Sequence, residues 1–345
     1  MSIKLGVLDL PNGVKSVNIK EQKVFDGLPF PLTLSPSDDF KHKDVQFWND
    51  WIKENLKVIE SLLLKYGAIL FRGFPLETDT DFDEFTKAFE YDPFSYSGGV
   101  SLRQSVLGNV YTATDVRPGG IIPFHHEMAY AKDYPHIVFF YCDIPAKEGG
   151  ETPIALSNVI YRKMMEREHD FVSLLEREGL RYVRVAPDGD DVSSSLSALG
   201  RGWQSTFYTS SKAEAEMSAK SSGYQVDWLD DGSMKTTTEV LPAIRMDKRT
   251  GKKMWFNMFF AFYIDWHNGG NNRRADAIFP NGDTVSAETI ETLKKVMDEA
   301  KVSFTWQHTD VIMIDNRTVQ HCRNEFFVPP RRVLASLYKD HQGPL

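Results

Sequence analysis

The strongest constraint on this chain is the length and spacing of its apolar runs. Ala68–Phe71 (AILF), Val138–Cys142 (VFFYC), Val311–Ile314 (VIMI) and Val333–Tyr338 (VLASLY) are all of strand length and rich in β-branched or aromatic residues. Arg181–Val185 and Lys253–Asn257 have the same character. Helical patterns lie among these runs without alternating regularly with them. Phe47–Tyr66 repeats apolar residues three and four apart and stops at Gly67. Asp81–Phe89, Val159–Gly179, Ser211–Gly223 and Ala287–Lys301 are the other helical stretches. A doubly wound parallel sheet needs strand and helix in turn, and no G-x-G-x-x-G or Walker loop follows any strand. The pattern predicts a β-rich α+β chain, a strand core with inserted and flanking helices.

Composition narrows the partners. The 345 residues carry a formal net charge of −8, which argues against a nucleic-acid partner, since phosphate binding wants a basic face. No apolar run reaches membrane-spanning length, so no membrane partner is expected. Two cysteines, Cys142 and Cys322, form no C-x-x-C pair and suit a reducing compartment, which predicts a cytoplasmic protein. The usual ~150 residues per domain would suggest two units, but β-barrels with insertions run longer. The expectation is one domain over 1–345, with a helical N-terminal part at about 40–90 and a helical and loop insertion at about 155–250. Oligomeric state leaves no mark in the sequence.

Chemistry concentrates in Pro123–Tyr130 (PFHHEMAY). On an extended strand His125 and Glu127 share a face and His126 points the other way. On a helix the first two would stand ~200° apart and could not reach one ion. His321, following the VIMI run, is the best-placed third ligand of the nine histidines. Two histidines and a carboxylate with open positions form the facial triad of non-haem Fe(II) oxygenases.

With these residues in view, the chain resembles the taurine dioxygenase/clavaminate synthase-like (TauD/TfdA) family of Fe(II)/2-oxoglutarate oxygenases, in its SyrP-like branch. Gly67–Phe74 (GAILFRGF), His125-x-Glu127, Glu148–Pro153 (EGGETP), Trp255-Phe256-Asn257 and Asp315-Asn316 through His321 to Arg332 carry the resemblance. It implies a double-stranded β-helix (jelly roll, cupin-like), with Fe(II) as cofactor and 2-oxoglutarate and O₂ as co-substrates. It also implies His125, Glu127 and His321 as catalytic metal ligands. The family places an arginine eleven residues after the distal histidine and a threonine twenty-seven after the first, both on the far carboxylate of 2-oxoglutarate. Those positions are Arg332 and Thr152. A guanidinium grips a carboxylate through two parallel bonds, and a hydroxyl completes it.

The implied reaction is hydroxylation or desaturation of an unactivated C–H bond in an amino-acid-like substrate, free or tethered to a carrier protein, with release of succinate and CO₂. Halogenating relatives replace the carboxylate ligand with a small residue; Glu127 therefore disfavours halogenation. Sulfonate-processing relatives carry a second arginine four residues after the anchor, where Ser336 stands here. Two other classes share the fold: a cupin-type isomerase or hydrolase indifferent to 2-oxoglutarate, and a non-catalytic binding protein. His126 is expected to be structural, His136, His267 and His308 to be surface or packing residues, and Gly200–Phe207 to be a loop or lid.

Overall fold

The computed structural model describes residues 10–95, 103–113, 120–191, 201–268 and 274–345, with the side chains of 265–268 excepted. Among them, the larger sheet runs Val14–Ser16, Leu32–Pro36, Ala68–Phe71, Val311–Asp315, Ile137–Ile144, Arg332–Lys339, Val110–Thr112 and Ser105–Leu107, with Asp92–Pro93 paired beside Arg332–Lys339. Its pairings are antiparallel except Leu32–Pro36 with Ala68–Phe71. The opposing wall is a three-stranded sheet in the order Ile154–Leu156, Val319–Arg323, Ile122–His125. The two walls form the double-stranded β-helix.

The central strands of the larger sheet read as unbroken apolar runs because both faces are covered. Val138, Phe140, Cys142, Val333, Ala335, Leu337, Ile312 and Ile314 point inward and join Phe124, Ile154 and Val319 of the smaller sheet in one core. Their neighbours Ile137, Phe139, Tyr141, Val311, Met313, Leu334 and Tyr338 point outward, onto helices Val45–Tyr66 and Asp79–Lys87. The first helix starts where Asp44 accepts the Phe47 N–H and ends at Gly67, φ 78°. A Cβ on Gly67 would lie 2.8 Å from Val319 and 2.9 Å from Leu156, so this turn can approach the smaller sheet only as glycine.

The stretch expected as one helix over Val159–Gly179 is two, Ser157–Arg167 and His169–Glu178, parted at Glu168; nothing in that residue's type explains the break. Between about 155 and 250 the chain also supplies three strands of a further, four-stranded sheet, whose fourth strand is Ala275–Ile278. This sheet has its own small core of Ala186, Trp203, Ala215, Ala219 and Met234. Among the described residues no helix is long and apolar enough to cross a membrane.

Candidate metal centre and co-substrate cavity

The smaller sheet carries the two histidines. His125 ends its strand, His321 lies mid-strand in Val319–Arg323, and the register sets them opposite one another. Their ring centroids are 4.3 Å apart. His125 Nδ1 is 2.8 Å from the Pro123 carbonyl and donates to it as a neutral ring, which leaves the Nε2 lone pair for the site. Burial lowers the pKa of both rings. At His125 the Glu127 charge opposes this; at His321 the charges of His125 and Arg103 add to it.

Glu127 joins them differently from the expected strand alternation. The strand stops at His125, and the chain turns through Met128 at φ 57°. What holds Glu127 is Asn316. Its Oδ1 accepts the Glu127 N–H at 2.7 Å, and its Nδ2 donates to the carbonyls of Glu127 (3.0 Å) and Pro135 (2.7 Å). One ligand atom from each of His125, Glu127 and His321 lies within 4.8 Å of the other two. Two neutral imidazoles and one carboxylate, all converging, are a donor set that could hold a divalent ion with positions to spare.

His126 points away, as expected. Burial takes it down to about 3, so it is neutral. Its Nδ1–H donates to the Asn316 carbonyl, and its Nε2 accepts from Ser157 Oγ at 2.7 Å. The metal strand is thus anchored from behind to the same residue that clasps Glu127.

A cavity beside the histidines is lined by Thr152, Phe140, Val333, Arg331, Arg323 and Arg103 among others. Thr152 is buried there, and its Oγ1 accepts from Trp306 Nε1 at 3.1 Å. Arg332 is not brought to this cavity. Its guanidinium spans Asp79 (2.7 Å) and Asp143 (2.8 Å), is about a third exposed, and ties the Asp79–Lys87 helix to the sheet. The reason is alternation: Val333 faces the cavity, so Arg331 shares its face and Arg332 takes the other. Counting eleven from His321 reaches Arg332, whereas the residue lining the cavity is Arg331, one position earlier. Arg331 runs against Gly150, where a Cβ would stand 2.8 Å from its Cδ, and its Nε donates to the Gly150 carbonyl at 2.7 Å. Burial, with the Arg323 charge beside it, pulls Arg331 down to about 10. The R-R doublet was visible in the sequence; the orientation was not.

Arg103 is the residue that sequence reasoning passed over. It lies 22 positions before His125, yet its buried guanidinium donates to Glu127 Oε2 at 2.6 Å. Ser336 faces the outer layer and donates to the Asn109 carbonyl at 2.7 Å. Asn257 donates to the Ala243 carbonyl, His136 is buried against Asp340, and His308 is exposed with Nδ1 on the Asp143 carbonyl. Gly200 and the His267 side chain lie outside the described residues; Trp203–Phe207 is a short helix. A larger cleft, about 420 Å³, opens beside Met128 between the barrel and the insertion, with Thr206, Tyr208, Ser222 and Tyr224 on its wall.

The sequence profile of the taurine catabolism dioxygenase TauD, TfdA family matches residues 30–338. The chain belongs to this family. A clavaminate synthase-like protein of Arabidopsis thaliana is 42% identical over 324 residues, covering 93% of this chain and 97% of that protein. The dapdiamide synthesis protein DdaC of Enterobacter agglomerans is 28% identical over 279 residues, covering 78% and 81%. Among solved structures, PvcB of Pseudomonas aeruginosa superposes with a TM-score of 0.55 at 13% identity, over 99% of this chain and 96% of that one, which shows the common fold. As a TauD/TfdA member the chain is an oxidoreductase, a dioxygenase whose cofactor is Fe(II) and whose co-substrates are 2-oxoglutarate and O₂.

Proposed function

We propose that this oxygenase oxidises a C–H bond of a small amino-acid-like substrate, free or carrier-tethered, at an ion held by His125, Glu127 and His321. The observation that carries the reading is the convergence of those three donors, two of which, His125 and His321, line the cavity that Thr152 and Arg331 also reach. When bound, the ion supplies the O₂ chemistry that no side chain can. The protein's own work is placement. His125 and His321 offer lone pairs because burial keeps them neutral. Arg331 and Thr152 take the far carboxylate of 2-oxoglutarate, the guanidinium through paired charge-assisted bonds and the hydroxyl through one more. Phe140 and Val333 supply apolar wall beside those polar groups.

Several details refine the substrate. Glu127 keeps a carboxylate where halogenation would need an open place, which favours hydroxylation or desaturation. Four residues after Arg331 stands Ala335, facing inward, so a sulfonate would find no second guanidinium there. The cleft beside Met128, rich in hydroxyls, suits a polar substrate, and dapdiamide synthesis is the process named for one relative. The reading treats residues 1–345 as one oxygenase domain, the segment from about 155 to 250 being its insertion. A cytoplasmic location accords with Cys142 and Cys322, both buried and free.

The test is anaerobic titration of metal-free protein with Fe(II) and 2-oxoglutarate, followed by the visible charge-transfer band of the chelate. Glu127→Ala should abolish the band and Arg331→Met should weaken it severely. Absence of any band with iron bound would sink the reading. Succinate release during a screen of amino acids then tests the substrate class, and turnover of non-nitrogenous acids alone would overturn it.

A further inference from the structure

The carboxylate ligand in this chain is a glutamate whose side chain has one more rotatable bond than aspartate. That extra reach creates a problem. A ferrous ion takes roughly six donors; three from the protein leave three, of which a chelating 2-oxo acid uses two and O₂ needs the last. A flexible carboxylate that closed on the ion through both oxygens would consume that last position.

Arg103 stands where it can prevent this. Its Nη2 donates to Glu127 Oε2 at 2.6 Å, and both side chains are 4% exposed. It belongs to the same cavity lining as His125 and His321. Its backbone immediately precedes the Ser105–Leu107 strand at the edge of the larger sheet, so the guanidinium reaches Glu127 from the opposite wall of the barrel. Meanwhile Asn316 fixes the Glu127 backbone from its other side. The carboxylate is held at both ends, and the end nearest the ion is shared with a cation.

We propose that Arg103 is a positioning residue that occupies one oxygen of Glu127, leaving the other for the ion and the sixth coordination position open. The proposal rests on the oxygenase reading above. It explains how a glutamate can serve where a shorter acid would be confined by length alone. It also assigns a task to a buried arginine that no co-substrate carboxylate needs, since Arg331 and Thr152 already serve the far end.

The experiment uses the full chain loaded anaerobically with Fe(II) and 2-oxoglutarate, with nitric oxide as the probe of the sixth position, which water fills until another ligand displaces it. The parent should bind nitric oxide. Arg103→Met should bind Fe(II) at least as tightly, because a like charge has been removed. It should nevertheless lose nitric-oxide affinity by about 10-fold or more, the scale seen when a ligand's supporting partner is deleted. A residue of purely structural importance would instead weaken metal binding. Arg103→Lys keeps a donor and a charge and should recover most of the adduct. A parent that binds no nitric oxide overturns the proposal whether or not either variant folds, as does an Arg103→Met protein with the parent's nitric-oxide affinity. A parent with no 2-oxoglutarate band at all overturns the oxygenase site itself and the proposal with it; a normal parent beside an unaltered variant overturns only the role of Arg103.

Discussion

The side-chain amide of Asn316 and the backbone of Glu127 hold each other in both directions, N–H to Oδ1 at 2.7 Å and Nδ2 to carbonyl at 3.0 Å. No regular strand does this work, because the strand ends two residues earlier. Asn316→Ala would leave a buried N–H and two buried carbonyls without that partner, at about 1–3 kcal/mol for each group left unsatisfied. The expected result is a lowered melting temperature together with a 10- to 100-fold loss in metal affinity. Isothermal titration with Mn(II) reads the second effect; an unchanged affinity would mean that the turn holds itself.

Arg331 and Arg332 should separate cleanly in a co-substrate titration. Loss of a paired, charge-assisted grip costs about 3 kcal/mol, so Arg331→Met should raise the half-saturating 2-oxoglutarate concentration by roughly 100-fold. Arg332→Ala breaks only a partly exposed pair, worth about 1 kcal/mol or less. It should leave that concentration unchanged and shift the melting point slightly. The reverse pattern would restore the eleven-residue count.

Gly150 offers a subtler version of the same test. It adopts φ 68°, and a Cβ there would press on the Arg331 Cδ at 2.8 Å. Gly150→Ala should therefore weaken 2-oxoglutarate binding while leaving Mn(II) affinity near the parent value. Equal losses in both would indicate a general collapse of the loop.

The ion should also stabilise the fold. At a concentration 100 times its dissociation constant a native-state ligand adds about 2.7 kcal/mol, worth about 4 °C in a domain of this size. Differential scanning fluorimetry with and without Mn(II) checks this, and Glu127→Ala should erase the difference.

Far from the cavity, Asp340 accepts from Arg317 at 2.9 Å and pairs with His136 at 3.0 Å. Burial alone would raise its pKa, but those two partners outweigh it and hold it at about 2. The folded value lies below the unfolded ~3.9, so the stabilisation is complete above pH ~4 and is lost as pH falls toward 2. The shift corresponds to about 2 kcal/mol. Asp340→Asn should lower the urea midpoint at pH 7, and the gap between variant and parent should narrow at pH 3.

The sequence led to much of this arrangement, and its limits are physical. Strand-length apolar runs pointed to the larger sheet because strands covered on both faces cannot be amphipathic. His125, Glu127 and His321 were picked out by residue type and order, and the structure brings them together, although Glu127 arrives by a turn rather than by alternation. Which of Arg331 and Arg332 faces the cavity was not legible because a one-residue slip exchanges the two faces of a strand, and the register shifts near Asp143, between Cys142 and Ile144. Arg103 was invisible because it comes from the segment leading into an edge strand on the opposite wall, with no spacing relation to the residue it touches. Glu168 shows the same limit in reverse: the helical period runs straight through a position where the backbone breaks.

The two histidines hang from the smaller sheet, and Arg331 directly precedes the Arg332–Lys339 strand of the larger one. In the proposed arrangement 2-oxoglutarate is therefore a strut across the barrel, fastened to one wall through the ion and to the other through a guanidinium. Turnover removes the 1-carboxylate carbon and leaves the other four. The former keto carbon becomes a carboxylate, so succinate still spans the two walls but no longer chelates the ion, and the brace between them is loosened at that end alone.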